Sequence, residues 1–93
     1  MAQLGERVWI PTEVEAGAFP GEKLVTLDTQ TGPVSGFARA DSIIEQGSGK
    51  YYLPAEVKAM TPSTLIALLL AGSFFTTTGL VEVSRDRVLK PSG

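Results

Sequence analysis

The sequence predicts a mainly β fold, either a small barrel or a pair of packed antiparallel sheets, built from five or six short strands. Three observations predict it: β-favouring stretches recur along the 93 residues, turn-forming glycines and prolines separate them, and the second half of the chain repeats a pattern of the first. A chain of this length forms one domain. We therefore expect residues 1–93 to fold as a single unit, with flexible ends at about 1–4 and 90–93.

In the first half of the chain, β-branched and aromatic residues form short runs, which favour strands. Glycine and proline lie between the runs and indicate turns or loops. The predicted elements are a strand at 6–10 ended by Pro11, a loop at 12–21, and a hairpin of strands 22–28 and 34–40 around a turn at 29–33. Gly36 predicts a bulge or a close backbone approach in its strand. The stretch 41–44 predicts a tight turn that buries Ile43.

The second half begins with a β-favouring stretch at 50–60, which follows a glycine-containing loop. Pro54 lies in its middle and predicts an edge strand or a break, because proline cannot donate a hydrogen bond to a neighbouring strand. Near the end of the chain, 79–83 is a predicted strand. We expect it to be followed by a tight turn that buries Val88.

Residues 61–72 have two interpretations, because an apolar run of this length fits a helix or a buried strand. A helix would begin with the Thr-Pro pair at 61–62, and the alternative fold is therefore α+β, with one apolar helix at 62–71 packed on the sheet. A strand at 65–70 would pair with 79–83. A repeated pattern favours the strand: LVTL, a turn and GFARADSI resemble LIALLL, a connection and LVEVSRDRV.

The segment GLVEVSRDRVL (79–89) resembles the last strand and terminal turn of an SH3-like barrel, so this barrel is the first form of the predicted fold. Its first six residues are also similar to the pore strand of the plasmid-type dihydrofolate reductases. These are small SH3-like barrels that form an active pore by tetramerising. Glu82 and Ser84 stand where that family has Gln and Tyr, so neither its site nor its activity is carried over.

Composition excludes several kinds of site. The chain has neither His nor Cys, which removes imidazole bases, thiol nucleophiles and His/Cys zinc sites within one chain. Its net charge is −2 and it has no run of Lys or Arg, whereas nucleic-acid binding usually needs a basic face. The lack of cysteine favours a reducing compartment, and Glu6 and Arg7 interrupt any apolar leader. We therefore expect a cytoplasmic protein with no cofactor, no metal and no nucleic-acid partner.

The uncharged stretch 59–81 is long enough to span a membrane. Its densely apolar part, 65–75, is too short for a span, and several Ser and Thr residues lie around it. No Lys/Arg cluster flanks it to orient insertion. We therefore expect this stretch in the core of a soluble domain, with no membrane association.

Two adjacent aromatic pairs predict a surface that binds a partner. Neighbouring residues of a strand point to opposite faces, so one member of each pair should point away from the core of its own domain. Aromatic side chains are enriched at protein interfaces. The candidate partner-binding residues, in a homo-oligomer or with another protein, are Tyr51, Tyr52, Phe74 and Phe75.

Arg85 and Arg87 are candidates for contact with an anion, because a guanidinium group binds phosphate or carboxylate through two parallel hydrogen bonds. We expect Asp86, between them, to cap the terminal turn. The stretch 47–50, GSGK, lacks the first glycine and the final Ser or Thr of a phosphate-binding loop, and we interpret it as a turn.

These observations lead to three functional hypotheses. No catalytic constellation is evident, so the first is a non-catalytic binding or assembly module that self-associates through an apolar aromatic surface. The alternative is a small-ligand-binding protein or an enzyme whose site forms between subunits. A nucleic-acid-binding barrel is the third hypothesis, and the charge of the chain disfavours it.

Overall fold

The computed structural model describes residues 3–17, 19–74 and 79–90. The predicted mainly β fold is confirmed: within these residues, eight antiparallel strands form one sheet that curls into a half-barrel. The strands are β1 (Arg7–Ala16), β2 (Glu22–Thr29), β3 (Gly32–Arg39), β4 (Ile44–Glu45), β5 (Tyr51–Met60), β6 (Thr64–Leu69), β7 (Ser73–Phe74) and β8 (Leu80–Ser84). Two of them, β4 and β7, have only two residues and were not expected. Most of the predicted flexible ends lie outside the described residues, so their flexibility stays a prediction.

The order of strands in the sheet is β7-β3-β2-β1-β5-β6-β8, and β4 pairs with β5 beside this path. Two turns of 3₁₀ helix, Ala40–Ser42 and Arg85–Arg87, follow β3 and β8. As predicted, the residues that follow these turns, Ile43 and Val88, pack against the core.

β1 is longer than predicted because Pro11 does not end it. Its first part, Arg7–Thr12, pairs with β5, and its last part, 13–16, pairs with β2. Proline has no N–H to donate, and the ladder between β1 and β2 stops at the pair Glu13–Thr26 and does not reach Pro11. The predicted loop at 12–21 therefore begins only after Ala16. The change of partner within one strand curls the sheet.

The inner face of the curled sheet encloses one hydrophobic core, to which all the long strands contribute. Its buried residues are Val8, Ile10, Val25, Leu27, Ala38, Leu53, Ala55, Val57, Leu65, Ala67, Val81 and Val83. In most strands they alternate with more exposed residues, as expected when one face of a strand is buried. The edge strand β8 meets the turn between β2 and β3, where the backbone N–H of Gln30 donates to the carbonyl of Glu82 at 2.9 Å.

The alternative prediction of a helix at 62–71 is wrong, because Thr64–Leu69 forms the strand β6. β6 pairs with β5 on one side and with β8 on the other, so its backbone groups are satisfied between strands. Leu65 and Ala67 are buried in the core, whereas the alternate residues lie on the outer face. The continuous apolar run thus belongs to a strand with apolar residues on both faces.

The prediction that Pro54 breaks its strand or places it at an edge is wrong. β5 is continuous and lies between β1 and β6. On the β1 side, Pro54 is opposite Trp9, whose N–H and carbonyl bond to Leu89 instead. On the β6 side, the carbonyl of Pro54 accepts a hydrogen bond from the Leu70 N–H at 3.1 Å. Pro54 therefore occupies a position where no neighbouring strand requires its N–H.

The bulge expected at Gly36 is absent, since β3 pairs with β2 in one continuous register through Gly36. The described irregularity lies in β5, between Val57 and Ala59, where Lys58 is left without an opposite residue in β6. Gly36 itself is buried on the inner face.

The second half of the chain repeats the first, strand for strand. β1, β2 and β3 correspond to β5, β6 and β8, and each set ends in a 3₁₀ turn. The sequences RVWIPTEV (7–14) and KYYLPAEV (50–57) also match in pattern. The pairing registers agree: Leu24–Phe37 between β2 and β3 corresponds to Ile66–Glu82 between β6 and β8.

An approximate two-fold axis therefore passes through the pair Ile10–Leu53 at the centre of the β1–β5 ladder. The halves differ most in the connection between their second and third strands. β2 and β3 are joined by the tight turn at 30–31, whereas β6 and β8 are joined by residues 70–79, which include β7 and add it to the edge of β3.

Candidate functional site

The outer face of the sheet carries a contiguous group of apolar side chains around the central strands. We call it the outer apolar patch, and it consists of Trp9, Pro11, Tyr52, Pro54, Leu68, Leu70 and Leu80. Three pairs of these residues are direct neighbours across strands: Trp9–Pro54, Pro11–Tyr52 and Leu68–Leu80. Leu70 and Leu80 are 38% and 39% exposed, and the others are half-buried. An antiparallel sheet with one face in water usually places polar residues there, so this face is unusually apolar.

Two aromatic residues lie at the centre of the outer apolar patch. The ring centroids of Trp9 and Tyr52 are 6.4 Å apart and the rings are tilted by 40°, within the range in which aromatic pairs attract each other. Trp9 and Tyr52 occupy corresponding positions in the two halves of the chain, so the approximate two-fold axis relates them. The axis also relates Pro11 to Pro54, but Leu68, Leu70 and Leu80 correspond to the polar residues Thr26, Asp28 and Ser35. Only the part of the patch on β1 and β5 is therefore symmetric.

The structure separates Tyr51 from Tyr52, two of the four residues proposed to bind a partner. Tyr52 belongs to the outer apolar patch. Tyr51, its neighbour in β5, points to the opposite face of the strand and lines a cavity there together with Val14 and Ile43. Phe74 lies in β7 and its backbone pairs with Gly36. The side chain of Phe74 and the whole of Phe75 lie outside the described part of the structure.

A polar cleft of about 180 Å³ opens between the middle of β1, the end of β2 and the segment that follows β8. Ile10, Leu27 and Val83 form its apolar floor, and all three belong to the buried core. The cleft lies where β1 and β2 separate, beyond the last pair of their ladder. Its polar lining comes from Thr12, Glu13, Thr26, Asp28, Thr29, Gln30, Ser84 and Arg87.

The two candidate anion-binding arginines contact different segments. Nη1 of Arg87 lies 3.8 Å from Oδ2 of Asp28 at the rim of the cleft, and both side chains are well exposed. Nη1 of Arg85 donates to the carbonyl of Thr61 at 2.9 Å. The expectation that Asp86 caps the turn is wrong: its carboxylate accepts a hydrogen bond from the hydroxyl of Ser84, and no side chain caps the turn. Arg87 therefore lies at the polar cleft, whereas Arg85 binds the turn between β5 and β6.

Several other basic side chains lie beside carboxylates. The charged pairs are Arg39–Asp41, Lys58–Glu56 and Lys90–Glu6. The hydrogen bond and the positive charge of Lys58 lower the pKa of Glu56 below its ordinary value. Such pairs interleave charge of both signs, which is unlike the basic stripe of a nucleic-acid-binding face.

The described residues contain no group of three or more potential metal-ligating side chains. Among the helices of the same residues, none is long and apolar enough to cross a membrane. The sequence 47–50, interpreted as a turn, is exposed and joins β4 to β5, with the Gln46 N–H donating to the Lys50 carbonyl at 2.9 Å.

Comparison with known proteins adds no family to these observations. No protein-family model, no curated protein and no solved structure matches the chain significantly.

Proposed function

We propose that this protein is a non-catalytic assembly module that self-associates through the outer apolar patch. The observation that carries the proposal is the apolar outer face of the central strands, where Trp9, Tyr52 and Leu80 occupy positions that usually hold polar residues. Large exposed apolar patches are rare on monomeric proteins and mark interaction surfaces. The proposal includes a cytoplasmic location and a protein partner in place of a nucleic acid.

The symmetry of the part of the patch on β1 and β5 supports a second copy of the chain as the partner. In a two-fold dimer, the same surface of each subunit faces its counterpart. The two pairs Trp9–Pro54 and Pro11–Tyr52, which the internal axis relates, present similar contacts in two related orientations. The aromatic pair at its centre is of the kind that supplies binding energy at the middle of interfaces.

Sedimentation velocity or light scattering over a range of protein concentrations tests the proposal. We expect the unmodified chain to be a dimer or larger at micromolar concentration. Leu70→Glu places a charge at an exposed position of the patch, and burying an unpaired charge is costly. We expect this variant to be monomeric, with a dissociation constant raised at least about tenfold.

Phe37→Glu is a matched control, because Phe37 is 39% exposed on the outer face of β3, outside the patch. The variant introduces the same negative charge at a side chain of similar exposure, and we expect it to leave the oligomer intact. If Phe37→Glu separates the subunits and Leu70→Glu does not, the protein self-associates through another surface. A wild-type chain that stays monomeric at high micromolar concentration contradicts the proposal as a whole.

A further inference from the structure

We propose that the polar cleft binds a small zwitterion of the α-amino-acid type with a short aliphatic side chain. The cleft combines three features that such a ligand needs: a guanidinium group, nearby carboxylates and an apolar floor. These are supplied by Arg87, by Asp28 with Glu13, and by the side chains of the buried core. The cleft adjoins the outer apolar patch at Pro11, which belongs to both, but its charged residues lie outside the patch and the proposed binding does not depend on self-association.

Comparison of the two halves of the chain shows that the cleft is specific to one of them. The positions that correspond to Asp28 and Arg87 in the repeated half are Leu70 and Ser42. The two charged residues that face each other across the cleft are thus replaced by uncharged residues at the corresponding positions of the other half. A general requirement of the fold would apply to both halves, so these charges are not needed to form it.

The backbone of the two halves differs beside Asp28. In the second half, the β5–β6 ladder continues to the pair Ala55–Leu69, and the Leu70 N–H donates to the Pro54 carbonyl at 3.1 Å. In the first half, the β1–β2 ladder ends at Glu13–Thr26, one pair earlier. β1 and β2 therefore separate one pair earlier than β5 and β6, beside Asp28, where the hydroxyl of Thr12 still donates to the carbonyl of Thr26 at 2.9 Å, and the cleft opens beyond this point.

The charges at the rim are available to a ligand. The 3.8 Å between Nη1 of Arg87 and Oδ2 of Asp28 is too long for a hydrogen bond, and an ion pair this exposed contributes little to stability. A ligand carboxylate gains two parallel hydrogen bonds from the Arg87 guanidinium. A ligand ammonium beside it lies close to the carboxylates of Asp28 and Glu13. Arg87 and Asp28, which are 3.8 Å apart, would then each bind a ligand group at a shorter distance.

The size of the cleft limits the ligand. Its volume of about 180 Å³ lies below the range of about 300–1,000 Å³ for pockets that hold drug-sized ligands, which suits a small amino acid. The core side chains at its base favour an aliphatic ligand side chain over a charged one, because burying a charge there has no compensating partner.

Titration of the ¹⁵N-labelled protein with valine, followed by NMR, tests the inference. We expect saturable shifts of the amides around Asp28 and Arg87 at millimolar valine. Valine methyl ester, which lacks the carboxylate, and N-acetylvaline, which lacks the ammonium, should each bind at least about tenfold more weakly. Equal binding of valine and N-acetylvaline would overturn the zwitterion assignment, and absence of saturable shifts with valine would overturn the site.

Variants assign the binding to the two charges. Arg87→Gln and Asp28→Asn should each weaken valine binding at least about tenfold, and both positions are exposed enough for the fold to remain intact. Arg39→Gln is the matched control, because Arg39 forms a similarly exposed pair with Asp41 outside the cleft. Unchanged valine binding in Arg87→Gln contradicts the inference. Leu70→Glu should retain the binding, which separates this test from that of self-association.

Discussion

The backbone of Trp9 exchanges two hydrogen bonds with Leu89, with N···O distances of 2.7 and 2.9 Å. This contact adds the segment after the last 3₁₀ turn to the free side of β1. The corresponding contact in the other half is the pairing of Ile44 with Tyr52. The segment that follows the 3₁₀ turn of each half thus pairs with a strand of the central β1–β5 ladder. In the second half, this pairing closes the half-barrel beside the polar cleft.

Replacing Leu89 with proline tests the contribution of this closure. Leu89→Pro removes the N–H that bonds to the Trp9 carbonyl, and we expect the free energy of unfolding to fall by about 1–2 kcal/mol. Leu89→Ala is the control, because it keeps the N–H and shortens a side chain that is 40% exposed. Urea denaturation of both variants provides the measurement. Equal destabilisation by proline and alanine would show that the backbone contact contributes nothing.

Leu53 lies on the approximate two-fold axis and is fully buried. We expect Leu53→Ala to lower the free energy of unfolding by about 2–5 kcal/mol, because it removes apolar contacts and leaves a cavity between well-packed strands. Leu4→Ala makes the same change at a side chain that is 65% exposed, and its effect should stay within about 0.5 kcal/mol. Similar losses for the two variants in denaturant unfolding would contradict the assignment of Leu53 to the core.

Thr64 is the buried polar residue among those that the structure describes, and it connects three segments. Its hydroxyl lies 2.7 Å from Oε2 of Glu82 in β8 and 2.7 Å from the hydroxyl of Thr61 in the preceding turn. We expect Thr64→Val, which keeps the shape but removes the hydroxyl, to cost about 1–2 kcal/mol of unfolding free energy. Thr64→Ser keeps the donor and should cost less. Calorimetric melting of the two variants compares them, and a more stable valine variant would rule out a net contribution from these hydrogen bonds.

The lowered pKa of Glu56 makes a prediction about pH. Because the folded-state pKa lies below the unfolded value, the interaction stabilises the fold above the unfolded pKa, and this contribution is lost as the pH falls through the folded-state pKa. The hydrogen bond from Lys58, at 2.5 Å, is its main cause. Lys58→Gln should therefore raise the pKa of Glu56 towards its ordinary value of 4.5.

An NMR titration of the side-chain carboxyl carbon of Glu56 measures this change. Lys90→Gln removes a lysine that pairs with Glu6 instead, so it should leave the titration of Glu56 unchanged. If both lysine variants move the Glu56 midpoint equally, the shift reflects overall charge and not the specific pair.

Several parts of the fold were predictable from short stretches of sequence. The hairpin of β2 and β3 and the strand β8 follow from β-favouring residues and from the turns between them. The two tight turns that bury Ile43 and Val88 also depend on neighbouring residues alone. The part of the repeat that includes β1 and β5 was missed, although RVWIPTEV and KYYLPAEV carry it, because single matches within short strands are not distinctive.

The residues of the candidate sites were predictable only in part. Tyr52 and Arg87 were identified from residue type, since aromatic and guanidinium groups favour binding surfaces. Their neighbours were not, because Leu70 and Leu80 join the patch only through the pairing of β5, β6 and β8. Asp28 joins Arg87 only because the curled sheet brings the end of β2 to the end of β8.

The sequence by itself determined the mainly β class, the positions of β2, β3 and β8, and the absence of His and Cys chemistry, because these depend on composition and on local residue patterns. The tertiary structure decided what each strand pairs with. It made 64–69 a strand, because partners on both sides satisfy its backbone. It also kept β1 continuous through Pro11 and β5 through Pro54, because the effect of a missing N–H depends on whether a neighbouring strand lies opposite it.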